Sequence, residues 1–217
     1  MKRKILFVIS VIIILTIAAG IYLLYMYNYI PHKQYDNSDF NIEPYKSALD
    51  MDGDGIDDQT DILESVREYI ATAPIYKSEY YDTGYPDGKY GVCTDVVAFG
   101  LLGAGYDLME LVNNDIINNP HEYNIETPDK NIDFRRVNNL KIFFKRNSIS
   151  LTTDIHDIAE WQGGDIVIFN QHIGMVSDKR NKNGVPFIIH HASPVQKNYE
   201  EDILGVWGSI VGHYRMS

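Results

Sequence analysis

Cysteine is nearly absent: Cys93 is the one thiol in 217 residues. An intramolecular disulfide is therefore excluded, and so is a zinc site built on several thiolates. A single thiol leaves three readings, an inert buried side chain, a reactive nucleophile or an intermolecular bridge. Positive charge is also scarce, with 19 Lys and Arg against 30 Asp and Glu and a formal net charge of −11. Phosphate binding needs a basic face, and after Lys4 no strong Lys/Arg cluster occurs, so a nucleic-acid partner is not expected.

The N-terminus lacks a signal-peptide exit. Lys2, Arg3 and Lys4 precede an apolar run from Ile5 to Met26. At about 1.5 Å per helical residue this run spans the roughly 30 Å hydrocarbon core of a bilayer. A cleaved signal has a shorter apolar region and a small-x-small exit, whereas this run closes on Leu23-Leu24-Tyr25-Met26-Tyr27, and no cysteine follows it for lipidation. The expectation is an uncleaved signal anchor over residues 5–27, with residues 1–4 cytoplasmic and the rest extracytoplasmic. Residues 28–45 are polar and interrupted by Pro31 and Pro44, which reads as a tether. Residues 46–217 have enough apolar composition for one full-sized domain.

That domain opens with Asp50-Met51-Asp52-Gly53-Asp54-Gly55-Ile56-Asp57-Asp58-Gln59-Thr60-Asp61. Carboxylates fall at positions 1, 3, 5, 9 and 12 of a twelve-residue loop, with glycine at 6 for the sharp turn. Asp50, Asp52, Asp54, Asp58, Asp61 and the carbonyl of Ile56 are the candidate Ca²⁺ ligands. Position 12 is Asp rather than Glu and the aliphatic residue stands at 7 rather than 8. In both respects the loop resembles the extracellular calcium loops of thrombospondin type 3 repeats. The simpler alternative is an acidic helix start, with Asp58 and Asp61 favouring the dipole of a helix from Gln59 to about Thr72.

Cys93 sits where a Gly- and Tyr-rich loop, Tyr80 to Gly91, gives way to Thr94-Asp95-Val96-Val97-Ala98-Phe99-Gly100-Leu101-Leu102. Apolar on nearly every side, that segment predicts a buried helix ending at Gly103 or Gly105. A thiol in its first turn feels the positive end of the helix dipole, which favours thiolate. Further on, a helix is expected within 105–118, a Pro-bounded loop over 121–130 and a short helix carrying Leu140, Phe143 and Phe144. Arg135 and Arg136 are expected to make internal salt bridges. From Asp165 the pattern turns to β: Asp165–Phe169, His172–Ser177 and Pro186–His191 predict consecutive hairpins. In an antiparallel pair, His172 lies beside one of His190 and His191. Because adjacent strand residues face opposite ways, only one of the two can meet it.

The ordered set Gly91-Val92-Cys93-Thr94-Asp95, Asn131-Ile132-Asp133-Phe134-Arg135-Arg136, Gly164-Asp165-Ile166-Val167, His172-Ile173-Gly174-Met175, His190-His191-Ala192-Ser193 and Gly212-His213-Tyr214-Arg215 resembles a bacterial domain family of unknown function. That family looks related to the NlpC-type papain-like cell-wall cysteine peptidases and amidases. The resemblance implies an α+β fold, a papain-like half-barrel with the Cys93 helix against an antiparallel sheet. It also implies a Cys93 nucleophile, a His172 acid/base and a polar third residue, assigned to His191 with His190 as the alternative. No catalytic cofactor is implied. Outside the membrane the expected substrate is peptidoglycan or another amide. An acyltransferase using the same acyl-enzyme and a non-catalytic membrane-anchored binding module are the rival readings.

Overall fold

The computed structural model describes residues 2–216 and divides into two compact units, Met1–Lys33 and Gln34–Ser217. In the first, helix α1 (Lys2–Met26) is exposed along its apolar length. It is long and apolar enough to cross a membrane or to serve as a signal sequence. Beyond it the His32 ring stacks on Tyr25 at 3.8 Å between ring centroids.

The second unit is mixed α+β. Its helices are α2 (Asp58–Ala71), α3 (Cys93–Gly103), α4 (Leu108–Asn118), α5 (Pro120–Tyr123), α6 (Lys130–Asp133) and α7 (Val137–Asn147). Two short strands, β1 (Ile75–Tyr76) and β2 (Tyr90–Gly91), pair in parallel just ahead of Cys93. The remaining strands are β3 (Ile149–Ser150), β4 (Ile166–Phe169), β5 (Ile173–Arg180), β6 (Pro186–Ile189), β7 (Glu200–Glu201) and β8 (Ile210–Arg215). They form one antiparallel sheet in the order β3-β8-β4-β5-β6-β7.

The sheet is covered on both faces. Ile166, Ile168, Ile173, Met175 and Ile189 pack with Ile62 and Val66 of α2 and with Val96, Val97 and Leu101 of α3. The alternate residues Val167, Phe169, Val176 and Ile188 pack with Trp161, Val185, Ile203 and Leu204. Burial on two sides explains why β4 and β6 are continuous apolar runs rather than alternating ones. Helix α3 is apolar all round because it lies inside this core, and Gly100 lets it approach the sheet. A Cβ there would stand 2.7 Å from the Met175 sulfur and 3.0 Å from Val66 Cβ.

Several expectations are revised. Residues 34–45 are not a free tether. Tyr35 bridges to Arg180, Asn37 accepts from the buried Arg180 guanidinium, and the Tyr45 amide donates to Gln162 Oε1 at 3.1 Å. Part of the loop expected over 121–130 is helical, because Pro120 supplies a favourable first helical residue for α5. Asp165 precedes β4, and His190 and His191 follow β6 rather than ending it.

Asp165 is a buried anchor at the start of β4, beside β8. It accepts from Arg215 Nε at 2.7 Å, Gln59 Nε2 at 2.9 Å and the Gln162 amide at 2.9 Å, and lies 3.0 Å from His213 Nε2. The Gly-Asp and Gly-His-Tyr-Arg segments, distant in sequence, therefore meet as structure.

Candidate active site

Helix α3 starts at Cys93 because the chain before it is pinned. The Asp95 carboxylate accepts from the Val92 amide at 2.8 Å, closing the first turn on itself. The same carboxylate is held by Arg135, Nε to Oδ1 at 2.6 Å and Nη2 to Oδ2 at 2.9 Å, with both side chains almost wholly buried. Arg135 also donates to the Glu79 carbonyl at 2.6 Å and lies over the Tyr81 ring. The internal salt bridge expected of Arg135 is thus made to Asp95, while Arg136 approaches Asp133 at 3.8 Å. A bidentate, desolvated ion pair of this kind is rigid, so it fixes the position of the adjacent Cys93.

Cys93 is half-buried and lines a groove of about 550 Å³ together with His172, His191, Gln171, Tyr76 and Trp207. The Ile173 amide, one residue past His172, hydrogen-bonds toward its sulfur. His172 stands at the mouth of β5, where its carbonyl accepts from the Phe169 amide at 2.8 Å across the two-residue turn Asn170-Gln171.

Register separates the two adjacent histidines. Met175 pairs with Ile189, and one residue further Gly174 stands against His190, where an added Cβ would be 3.2 Å from His190 Cβ. His172, two residues before Gly174, falls on the face that carries His190. Accordingly His172 Nε2 lies 3.0 Å from His190 Nδ1, and His190 Nε2 lies 3.1 Å from Glu201 Oε2. Contact with His172 is made by His190 and not by His191. The latter packs edge-on against Tyr76 and Tyr199, and its buried Nδ1 has no hydrogen-bond partner. Trp207 covers the pair, 4.7 Å from the His172 ring and 5.2 Å from that of His190.

These hydrogen bonds determine tautomers. A carboxylate only accepts, so His190 donates its Nε2–H to Glu201 and keeps its Nδ1 as an acceptor. His172 then donates through Nε2, and its Nδ1 carries the lone pair.

Electrostatics depart from expectation. Burial, reinforced by Asp95, pushes the Cys93 thiol up to about 11, outweighing the amides that favour thiolate. Burial, and then the neighbouring His190, lowers His172 to about 3. Burial likewise lowers His191 to about 4. Both shifts favour a neutral thiol and a neutral imidazole in the groove.

Of the acidic loop, Asp50, Asp52 and Asp54 converge, with carboxylate oxygens within 4.8 Å of one another. Asp58 is turned away: its Oδ1 accepts from the Met51 amide at 2.7 Å and its other oxygen from the Tyr106 hydroxyl.

Glu201, Trp207 and the Asp95–Arg135 pair were not foreseen. Glu201 lies in a two-residue strand after an irregular loop, and only its pairing opposite Ile188 carries it to His190. Asp95 stood in the cysteine motif and Arg135 in the second one, but nothing in their spacing joins them.

No solved structure matches the chain. It is similar to the Escherichia coli (strain K12) protein named "Uncharacterized protein YijF", 36% identical over 167 residues, which cover 71% of this chain and 80% of that one. A family model matches residues 63–216, a stretch holding Cys93, His172, His190, His191 and Glu201. The chain belongs to the family described as a domain of unknown function, DUF1287.

Proposed function

We propose that this protein is an extracytoplasmic, membrane-anchored cysteine hydrolase of amide bonds, related in fold to the NlpC-type papain-like peptidases and acting on peptidoglycan peptides. The observation that carries the reading is the shared groove: a thiol at a helix N-terminus opens on the same cavity as a histidine wired to a second histidine and a carboxylate.

Cys93 Sγ attacks the amide carbonyl carbon while its proton passes to His172 Nδ1. Since the thiol is held protonated, the thiolate arises as the substrate closes on it rather than beforehand. The developing oxyanion is met by the amides of the first turn of α3, that of Cys93 foremost. The carbon–nitrogen bond then breaks, and His172 returns its proton to the departing amine. Water, deprotonated by His172, cleaves the resulting thioester, yielding a carboxylate and the free thiol. His190 and Glu201 hold the His172 imidazole in the tautomer this sequence needs.

One observation favours a second assignment of the base. His191 lines the groove with an unpartnered Nδ1, so the thiol proton has an alternative acceptor there. Purified peptidoglycan incubated with the full chain in detergent tests the function: release of muropeptides with one new amino and one new carboxyl group per cut supports hydrolysis. Incorporation of an added amine in place of water would instead identify a transferase. Absence of both reactions would leave the binding-module reading and defeat this one.

A further inference from the structure

The acidic loop was not absorbed by the groove chemistry, and it ends before the stretch matched to the family. Asp50, Asp52 and Asp54 bring carboxylates together on an exposed surface. Asp50 oxygens take the amides of Gly53, Asp54 and Gly55, and Asp54 Oδ1 takes that of Ile56, so the backbone wraps around the cluster. An acidic cluster alone identifies nothing, since such groups are common on surfaces.

The independent observation is Asp61, in the first turn of α2. Only 7% exposed, it has an Oδ2 oxygen sealed from solvent with no hydrogen-bond donor. The charged groups acting on it are, in order, Asp54, Asp52, Glu64 and Asp50, all acidic. A buried carboxylate oxygen without a donor and near like charges is costly, and a divalent cation is the ligand that reverses the cost.

We infer that residues 50–61 bind one Ca²⁺ through the carboxylates of Asp50, Asp52, Asp54 and Asp61, with the Ile56 carbonyl as a further oxygen. Asp58, committed to the Met51 amide and Tyr106, is not a ligand. Hard oxygen donors on a glycine-turned loop suit Ca²⁺ better than Mg²⁺, which demands a stricter octahedron. The ion ties the loop to the start of α2. Asp52 and Met51 also abut Gly105, whose added Cβ would be 3.2 Å from each. That contact lies just beyond the C-terminal end of α3. Eleven residues of helix, about 16 Å at 1.5 Å each, separate it from Cys93. The calcium is structural, and the inference stands whether or not the hydrolase reading holds.

The test is calorimetric titration of the EDTA-stripped full chain in detergent with CaCl₂ and, separately, MgCl₂, paired with thermal melts. The expected result is one Ca²⁺ per chain, a dissociation constant of about 10⁻⁴–10⁻³ M as in extracellular modules, and a rise in the melting temperature. Mg²⁺ at the same concentrations should give neither effect. Asp54→Asn, at an exposed position that folding tolerates, should weaken calcium binding at least about fivefold by removing ligand charge. Asp61→Asn should lose the calcium-induced shift yet melt no lower than the parent in EDTA, because it removes a buried, repelled charge. Absence of calcium binding by the parent, equal response to Mg²⁺, or undiminished binding by both variants would overturn the site.

Discussion

His172 Nε2 lies 3.0 Å from His190 Nδ1, and this contact decides which of two adjacent histidines belongs with the candidate base. The account therefore distinguishes two neighbouring alanine substitutions. His190→Ala should lower the rate of amide cleavage by about 10²-fold through loss of imidazole orientation, whereas His191→Ala should leave most activity. Steady-state rates on released muropeptides measure this, and the reverse ranking would move the base to His191.

Burial gives the folded state a pH dependence. His172 is lowered to about 3 from an ordinary value of 6.5, so the unfolded chain binds the proton more readily. Stability from this group is present above pH 6.5 and is lost as pH falls from 6.5 toward 3, by about 1.4 kcal/mol per pH unit. Because burial lowers His190 and His191 as well, urea unfolding of the full chain at a series of pH values should show a decline at least that steep, and His172→Gln should reduce it by about 1.4 kcal/mol per pH unit. An unchanged slope in the variant would assign the acid sensitivity elsewhere.

A thiol held up at about 11 by burial alkylates slowly at neutral pH. The rate of iodoacetamide reaction at Cys93 in the free chain should stay low through pH 9 and climb above it. A plateau already reached below pH 7 would reveal a pre-formed thiolate–imidazolium pair and remove the general-base step.

Asp95 and Arg135 neutralise each other out of water beside Cys93. Removing one leaves the other as an uncompensated buried charge, so Arg135→Ala should cost about 3–5 kcal/mol of stability. Equilibrium unfolding measures it. A loss below about 1 kcal/mol would mean the pair is solvated and does not fix α3.

The parts legible in the sequence were those written in local patterns. The apolar run of α1, the all-round apolar α3 with Cys93 at its start, and the three strands β4, β5 and β6 follow from periodicity over a few residues. Parity was not legible: His190 and His191 differ by one position, and a one-residue change of register exchanges them. That register is set by the pairing of Met175 with Ile189, a tertiary fact. Glu201 and Arg135 reach the site the same way, through chain crossings that no spacing encodes. Helix polarity pointed to a lowered thiol pKa, but desolvation by the surrounding core outweighs a dipole effect of about 1 kcal/mol. Likewise Asp58 fits the calcium spacing, yet the Tyr106 hydroxyl claims it.

The central claim is that Cys93 opens an amide with His172 moving the proton, and the rate of muropeptide release from purified peptidoglycan tests it most directly. The full chain should release muropeptides, and both Cys93→Ala and His172→Ala should fall by at least about 10²-fold. Release by Cys93→Ala at the parent rate would contradict the account.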